Sequence, residues 1–412
     1  MRQIQLLEIN DRSEKVIDPS GGSNQTRVRA YNERLLLSLV RRHGSQPKSE
    51  IARRTGLSAQ TVSVIMRALE KDGLLLRGDP KRGQVGQPSI PMFLNPEGAF
   101  SIGLKIGRRS ADLLMVDFLG NPRQSLHFNY SYPVQEEIFQ FAQSGIKELT
   151  SKLTEDQRSR IAGIGVALPF ELWNWAEKIG APPELMQDWQ NKDFAERLER
   201  RCLYPVFEQN DATAACGAEL IFGQGSELAD FVYFFIGTFI GGGIVLNQAV
   251  YSGHTGNAGA LGSMPVVNEK GVATQLIDHA SMLELENQIK KDGLDIPFEI
   301  LKEEDWGVLG KSLEHWINET AHHLAIAVAS SHSVIDFEAA IIDGDFPSDV
   351  RLRIVEATIN RIAELDLQGI SCPKVYSGLV GRNARAVGAA SLPLFSRYLL
   401  DQSVLFKSLS AG

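Results

Sequence analysis

KSEIARRTGLSAQTVSVIMRALEKDGLLLRG, residues 48–78, decides how the N-terminal part of the chain folds. In its second half Val62, Ile65, Met66 and Leu69 recur at the three- and four-residue spacing of one helical face. Ala59, Gln60, Thr61, Ser63 and Arg67 are left on the opposite side. Ser58 immediately precedes this helix and suits a cap, because its hydroxyl can accept from a free backbone N–H of the first turn. Gly56 punctuates the segment and predicts a tight turn between this helix and a shorter one before it. Upstream, YNERLLLSLVRRHG (31–44) places Leu35, Leu36, Leu39 and Val40 on helical spacing and stops at Gly44. Downstream, LLLRGDPKRGQVGQPSIPMFL (74–94) reads as two short strands around a Gly-rich tip that carries Lys81 and Arg82.

Charge separates this region from the rest. The chain of 412 residues has a formal net charge of -8, yet between Arg27 and Arg82 thirteen Lys and Arg face five Asp and Glu. That segment is therefore +8 and the remainder -16, the footprint of a module that meets phosphate on a body that repels it. Together these features predict a winged helix-turn-helix over residues 27–94, after a tail over 1–26. In that reading the second helix enters a major groove of operator DNA, with Ser58, Gln60, Thr61, Ser63 and Arg67 toward the bases. Lys48, Arg53, Arg54, Lys81 and Arg82 fall to the backbone or minor groove. A structural helical hairpin with a solvated basic face is the alternative.

The length predicts more than one folding unit, and 43% apolar against 22% charged residues is an ordinary globular composition. No apolar run of membrane-spanning length and no secretion signal is evident, so no membrane partner and a cytoplasmic location are expected. Cys202, Cys216 and Cys372 are odd in number and far apart, which suits reduced thiols filling the core. From Asn95 the chain alternates strands and helices. SIGLKIGRRSADLLMVDFLGN (101–121) and DFVYFFIGTFIGGGIVLNQAVYSG (230–253) share a strand-turn-strand layout, which predicts two related α/β lobes over residues 95–412 with a cleft between them.

Several ordered motifs of residues 30–395 resemble the ROK family of repressors and sugar kinases, in its transcriptional-regulator branch. GIGVALP (163–169) is similar to the strand before that family's sugar loop, although Phe170 stands where a Gly is usual. PVFEQNDATAACGAELIFG (205–223) resembles the segment carrying its Asn-Asp pair. GTFIGGGIVLNQAVYSGHTGNAGALGS (237–263) resembles its second phosphate loop and signature, and VYSGLVGRNARAVGAASL (375–392) its closing segment. The resemblance implies an α/β fold: a winged helix-turn-helix followed by a two-lobed, actin-like and sugar-kinase-like (RNase H-like) domain. It also implies an effector site in the cleft, at Asn210 and Asp211 with Asn257, Ala260 and Ser263, and a homodimer or dimer of dimers.

The departures bear on chemistry. Family kinases open with Asp-x-Gly-Gly-Thr, where this chain has Lys105, Ile106, Gly107, Arg108 and Arg109. Lysine cannot ligate Mg²⁺ as a carboxylate does, and two arginines fill space meant for phosphate. The sugar loop's Glu-x-Gly-His reads Ala260, Leu261, Gly262, Ser263, a later sugar-site Glu falls on Ile277, and the zinc cysteines are missing. No cofactor, no metal and no enzymatic activity are therefore expected, and the pocket is expected to be roomier and less charged than in relatives. The expected function is regulation of carbohydrate-related genes under control of a small-molecule effector, a sugar or sugar derivative. A sugar kinase with a DNA-binding domain and a constitutive DNA-binding protein with a scaffold body are the alternatives. Capping of a helix near Ala212 is the structural alternative for Asn210 and Asp211. GVLGKS (307–312) lacks the first glycine of a Walker loop, and His322 and His323, adjacent on a helix, diverge too far to share a metal.

Overall fold

A computed structural model of the chain describes residues 24–80, 90–191, 193–268, 271–294 and 305–400. Helix α1 (Asn24–His43) begins three residues before the expected boundary at 27. Strand β1 (Gln46–Pro47) and helix α2 (Lys48–Thr55) follow, and Gly56 at φ +68° makes the left-handed turn into α3 (Ala59–Lys71). Ser58 caps α3, its Oγ accepting from Thr61 N at 3.1 Å, and Val62, Ile65, Met66 and Leu69 are all buried. The strands β2 (Leu75–Arg77) and β3 (Pro91–Leu94) pair antiparallel, with β1 on the outer side of β3. The wing tip, with Lys81 and Arg82, lies outside the described residues.

The body consists of two lobes. In the first, β4 (Phe100–Ile106), β5 (Ser110–Asp117) and β6 (Pro122–Asn129) form an antiparallel meander. Helices α4 (Gln135–Ser151) and α5 (Glu155–Ser159) lead to β7 (Ile161–Leu168). Helices α6 (Ala176–Ile179), α7 (Pro183–Met186) and α8 (Phe194–Cys202) lead to β8 (Val206–Asn210). Helix α9 (Asp211–Phe222) then crosses to the second lobe, where β9 (Phe231–Ile236), β10 (Ile240–Leu246) and β11 (Ala249–Val250) repeat the meander. A hairpin of β12 (Pro265–Val267) and β13 (Ala273–Gln275) precedes α10 (Met282–Lys291) and α11 (Gly310–Val334). The chain closes with β14 (Ala339–Gly344), α12 (Ser348–Ile362), β15 (Val375–Ser377) and α13 (Ala384–Tyr398). The sheet orders, β6-β5-β4-β7-β8 and β11-β10-β9-β14-β15, are the same arrangement of first to fifth strand. This is the duplication that the two strand-turn-strand segments predicted.

The lobes meet where α9 crosses α13, and the crossing depends on missing side chains. A Cβ on Gly388 would lie 1.9 Å from the Ala214 carbonyl oxygen, and one on Gly165 of β7 would lie 1.8 Å from that of Ala389. Only glycine permits backbones to approach so closely. The turn around Ala389 has a further peculiarity, because Pro393 inside α13 has no N–H to donate to the Ala389 carbonyl four residues earlier.

The N-terminal helix-turn-helix is not a separate bead. Leu36, Leu37 and Val40 of α1 belong to one continuous buried cluster with Phe118, with Ala215 and Leu220 of α9, and with Val387 and Leu394 of α13. Half-buried Arg41 seals this junction, donating to the Phe118 carbonyl at 3.0 Å, with Phe222 and Phe395 at 4.9 and 5.7 Å from its guanidinium carbon. Loss of water lowers its pKa to about 10, against the pull of Asp117. Leu400 N donates to Ser38 Oγ at 2.9 Å, tying the end of the described chain to α1. Of the cysteines, Cys216 fills the core as expected and Cys202 is half-buried, but Cys372 is exposed on the loop before β15.

Gly388→Val tests the crossing. Overpacking against backbone that cannot yield is expected to cost about 2 kcal/mol or more. A lower midpoint in urea and thermal unfolding than that of the wild type checks this, and an unchanged midpoint would show that α9 and α13 are free to separate.

Candidate DNA-contacting surface and interlobe site

Helix α3 divides as its sequence predicts. Ser58, Gln60 and Arg67 are exposed and Thr61 and Ser63 half-buried, on the side away from the apolar stripe. Arg67 Nε donates to the Ser63 carbonyl at 3.1 Å, so its guanidinium lies along the helix. Val64, 50% exposed, stands among these polar groups, and the sequence reading passed over it. An exposed methyl-bearing side chain there is suited to a thymine methyl. Lys48 is the first residue of α2 and half-buried.

Arg53 and Arg54, expected to meet DNA backbone, both reach Glu50. Arg53 donates to its two oxygens at 2.9 and 2.6 Å, and Arg54 to Oε1 at 2.6 Å. These hydrogen bonds, Arg53's foremost, hold the Glu50 carboxyl down at about 2. Arg54 also donates to Nε2 of His43 at 3.1 Å, where burial first, then Arg54 and Arg42, depress the imidazole's pKa and keep it neutral. On this basic face Glu50 is a built-in competitor for phosphate.

In the body, the structure brings all five proposed effector residues, Asn210, Asp211, Asn257, Ala260 and Ser263, to the wall of one interlobe cavity of about 110 Å³, together with Ile277. Asn210 caps α9: its Oδ1 accepts from the backbone N–H of Ala212 and of Thr213, each at 3.1 Å. Asp211 accepts from Arg385 Nη1 at 3.4 Å, and Arg385 Nη2 reaches Asp345. Burial works against the Arg385 charge, but Asp345 and Asp211 outweigh it and raise its pKa above the ordinary arginine value.

Ala260 and Ser263 share the wall of this cavity with three charged residues, Arg108, Asp211 and Arg385. Arg108, from the turn between β4 and β5, lines the same cavity, its guanidinium carbon 4.2 Å from the Phe239 ring centre and 4.9 Å from that of Trp175. Burial lowers its pKa to about 10, although Asp211 opposes the shift and Arg385 adds to it. Trp175 follows β7 in the first lobe and Phe239 sits in the β9–β10 turn of the second, so the stack bridges the cleft. Next to it lies a second cavity of about 260 Å³, also bordered by Arg108 and Arg385. There Lys105 Nζ donates to Asp112 Oδ2 and Ser110 Oγ, both at 2.9 Å, while Arg109 donates to Glu286 Oε2 of α10 at 2.6 Å. Burial alone would raise the Asp112 pKa, but Lys105 and His127 reverse this and hold it far below the usual carboxylate range. Lys178 and Asp278 add a further bridge between the lobes at 2.7 Å. Among the described residues no group of three His, Cys, Asp or Glu is placed to hold a metal. His322 and His323 stand at 88° to each other, edge to face.

A ROK family model matches residues 101–293, and a winged helix-turn-helix DNA-binding model matches residues 29–75. The chain carries a ROK-family domain behind a winged helix-turn-helix. The chain is 24% identical over 375 residues to the protein y4fQ of Sinorhizobium fredii, covering 90% of itself and 92% of that protein. It is 25% identical over 244 residues to the xylose repressor of Bacillus spizizenii, covering 59% of itself and 62% of the repressor. With the dual regulator NagC of Escherichia coli it shares 24% over 239 residues, 58% of either chain. It thus spans about three fifths of the length of these two regulators. Among solved structures, a ROK-family transcriptional regulator homologous to the E. coli MLC protein superposes over 93% of this chain and 100% of its own, with a TM-score of 0.65 at 18% identity. A ROK-family glucokinase of Streptomyces griseus superposes over 71% of this chain and 99% of its own, with a TM-score of 0.57 at 21% identity. Both likenesses show the fold of the ROK body, and the first extends to the DNA-binding end.

Glu50→Gln is expected to release Arg53 and Arg54, tighten non-specific DNA binding and steepen its salt dependence. Gel shifts between 50 and 200 mM salt, on the order used for such slopes, check it. The Glu50 interaction is present above the unfolded carboxyl value and is lost only as pH falls through about 2. Between pH 5 and 8, on the order of the physiological range, the wild-type profile should therefore carry no Glu50 titration, and the variant should differ from it by a constant factor.

Proposed function

We propose that this ROK chain is a DNA-binding transcriptional regulator of carbohydrate-related genes, controlled by a small molecule bound between its lobes. The observation that carries this reading is the continuous core joining α1 to α9 and α13. Helix α9 starts at the interlobe cavity with Asp211, and the same helix reaches the Arg41 junction through Phe222. A ligand that binds the open and closed arrangements of the lobes unequally would then shift DNA affinity by that difference. The relatives named xylose repressor and NagC support the choice of carbohydrate genes and of repression. In a two-fold dimer, two copies of α3 would address half-sites one helical turn or a multiple apart. The effector is read as meeting Asn210, Asp211, Asn257, Ala260 and Ser263. The bases are assigned to Ser58, Gln60, Thr61, Ser63 and Arg67, and phosphates to Lys48, Arg53 and Arg54, with Lys81 and Arg82 of the wing.

Phosphoryl transfer is not part of the proposed function. An ammonium, Lys105, stands where family kinases place a carboxylate, and it is engaged with Asp112. Asp211, at the position of the family's general base, is held by Arg385. A base without a placed metal-nucleotide achieves no transfer.

Arg67→Ala and Gln60→Ala are each expected to weaken binding to the operator about tenfold or more, the equivalent of ~1–3 kcal/mol per base contact. Gel shifts on an operator selected from random DNA measure this, and variants with full, sequence-selective affinity would remove α3 as the reading helix. Incubation with ATP, Mg²⁺ and a sugar panel is expected to release no sugar-dependent ADP. Release that Asp211→Ala abolishes would favour the kinase reading instead.

A further inference from the structure

The walls of the two adjoining interlobe cavities carry five Lys and Arg side chains and four carboxylates. Every carboxylate is engaged by one of the other cations. Asp112 accepts from Lys105 and pairs with His127, Glu286 accepts from Arg109, and Asp211 and Asp345 both accept from Arg385. Arg108 is the exception. Only 9% exposed, it makes no hydrogen bond or ion pair among the described residues, and its buried Nε has no partner. Stacking on Phe239 and Trp175 offsets part of the lost hydration of the guanidinium, but it satisfies none of the five in-plane N–H donors. A buried cation is stable when paired, and this one borders both cavities with no carboxylate in hydrogen-bond or ion-pair contact among the described residues.

We propose that the interlobe site takes an anionic, hydroxylated small molecule, a sugar acid or a sugar phosphate, whose carboxylate or phosphate is clamped by Arg108. This rests on the reading of the cleft as the effector site and specifies its chemistry. The guanidinium offers the planar fork of donors that fits a carboxylate or phosphate in bidentate fashion. Hydroxyls of the same ligand meet the polar groups beside it. The amide nitrogen of Asn210 is unused among the described residues because only Oδ1 serves the cap, and Ser263 and Asn257 line the same wall. The neighbouring composition agrees. Ala260 and Ile277 bring no carboxylate to the wall, and the one carboxylate there, Asp211, is paired with Arg385. Placement of an anion on Arg108 also draws on the contact that bridges Trp175 of one lobe and Phe239 of the other, so binding is linked to the relation between the lobes.

The test uses the full chain, calorimetry and thermal shift, and paired probes that differ only in charge: glucose, glucuronate and glucose 6-phosphate; N-acetylglucosamine and its 6-phosphate; galactose and galacturonate. Inorganic phosphate and acetate are run alone. The acidic member of at least one set is expected to bind at least about tenfold tighter than its neutral partner and to raise the thermal midpoint by mass action. Arg108→Gln is expected to abolish that preference, and Arg108→Lys to keep part of it. Sugar acid and sugar phosphate arms separate the two sources of the anion. Four results would overturn the proposal: a neutral sugar binding as tightly as its acidic partner, acid binding unchanged in Arg108→Gln, no acid binding at all, or inorganic phosphate matching the best probe. The last would mark an adventitious ion only. Operator gel shifts on the same preparations keep the outcomes distinct. A neutral sugar that releases DNA leaves the regulator intact and removes only the anion. An unchanged far-ultraviolet circular dichroism spectrum and a cooperative thermal transition of ligand-free Arg108→Gln show that the variant is folded.

Discussion

The approach of Gly388 to the Ala214 carbonyl is the contact on which the architecture turns. Helix α13 lies against the first-lobe sheet through Gly103 and Gly165, and α9 lies against the second-lobe strand β10 through Gly241 and Gly243. Because both helices are stripped of side chains where they cross, the two sheets are brought close enough for one turn of each to share a cleft. The same two helices, on their far ends, supply the surface on which α1 is seated. One crossing therefore fixes the distance between the lobes, the depth of the cavity and the footing of the DNA-binding domain.

Electrostatics complete what packing begins. The cleft of a sugar kinase has to hold phosphates and a metal ion, whereas here its charges, Arg108 apart, are paired within the protein. Arg109 reaches Glu286, Lys178 reaches Asp278, and Arg385 bridges Asp211 and Asp345. The buried pairs among these stabilise little in themselves, since desolvation cancels much of the attraction, but breaking that of Arg385 strands a buried charge. They act as selectors of a lobe arrangement more than as sources of net stability. On the helix-turn-helix Glu50 plays an analogous part at the surface, occupying both Arg53 and Arg54.

What the sequence disclosed follows the range of the interactions. The α3 stripe, the Ser58 cap and the Gly56 turn are settled within a few residues, and all three were legible. So was the duplication of the lobes, because a strand-turn-strand unit repeats its own pattern wherever it stands. The seating of α1 on the body was not, since Leu36 and Leu37 meet partners on α9 and α13 from 180 to 360 positions further on, roughly, and no local period encodes that. The interlobe pocket failed for a different reason. Ala260 and Ser263 were read without the charges that share their cavity, because Arg108 arrives from another loop and its resting place needs Trp175 and Phe239 from opposite lobes. Arg385 was passed over in a Gly- and Ala-rich helix where nothing nearby hinted at its two carboxylates.

Pro393 gives α13 a mechanical character that its smooth helical course conceals. The Ala389 carbonyl lacks the hydrogen bond that would stiffen that turn, so bending costs least there. On one side of this soft turn stands Gly388, locked to α9. On the other stands Phe395, stacked near Arg41 of α1. The helix is thus a shaft with a compliant coupling in the middle, and rotation entering at the lobes is shared between turning the shaft and flexing the joint. The companion route through α9 contains no proline, so it is the stiffer of the two. Were a ligand to displace the cleft as proposed, the motion would reach the helix-turn-helix along two paths of unequal rigidity, and the difference between them would tilt α1 as well as slide it.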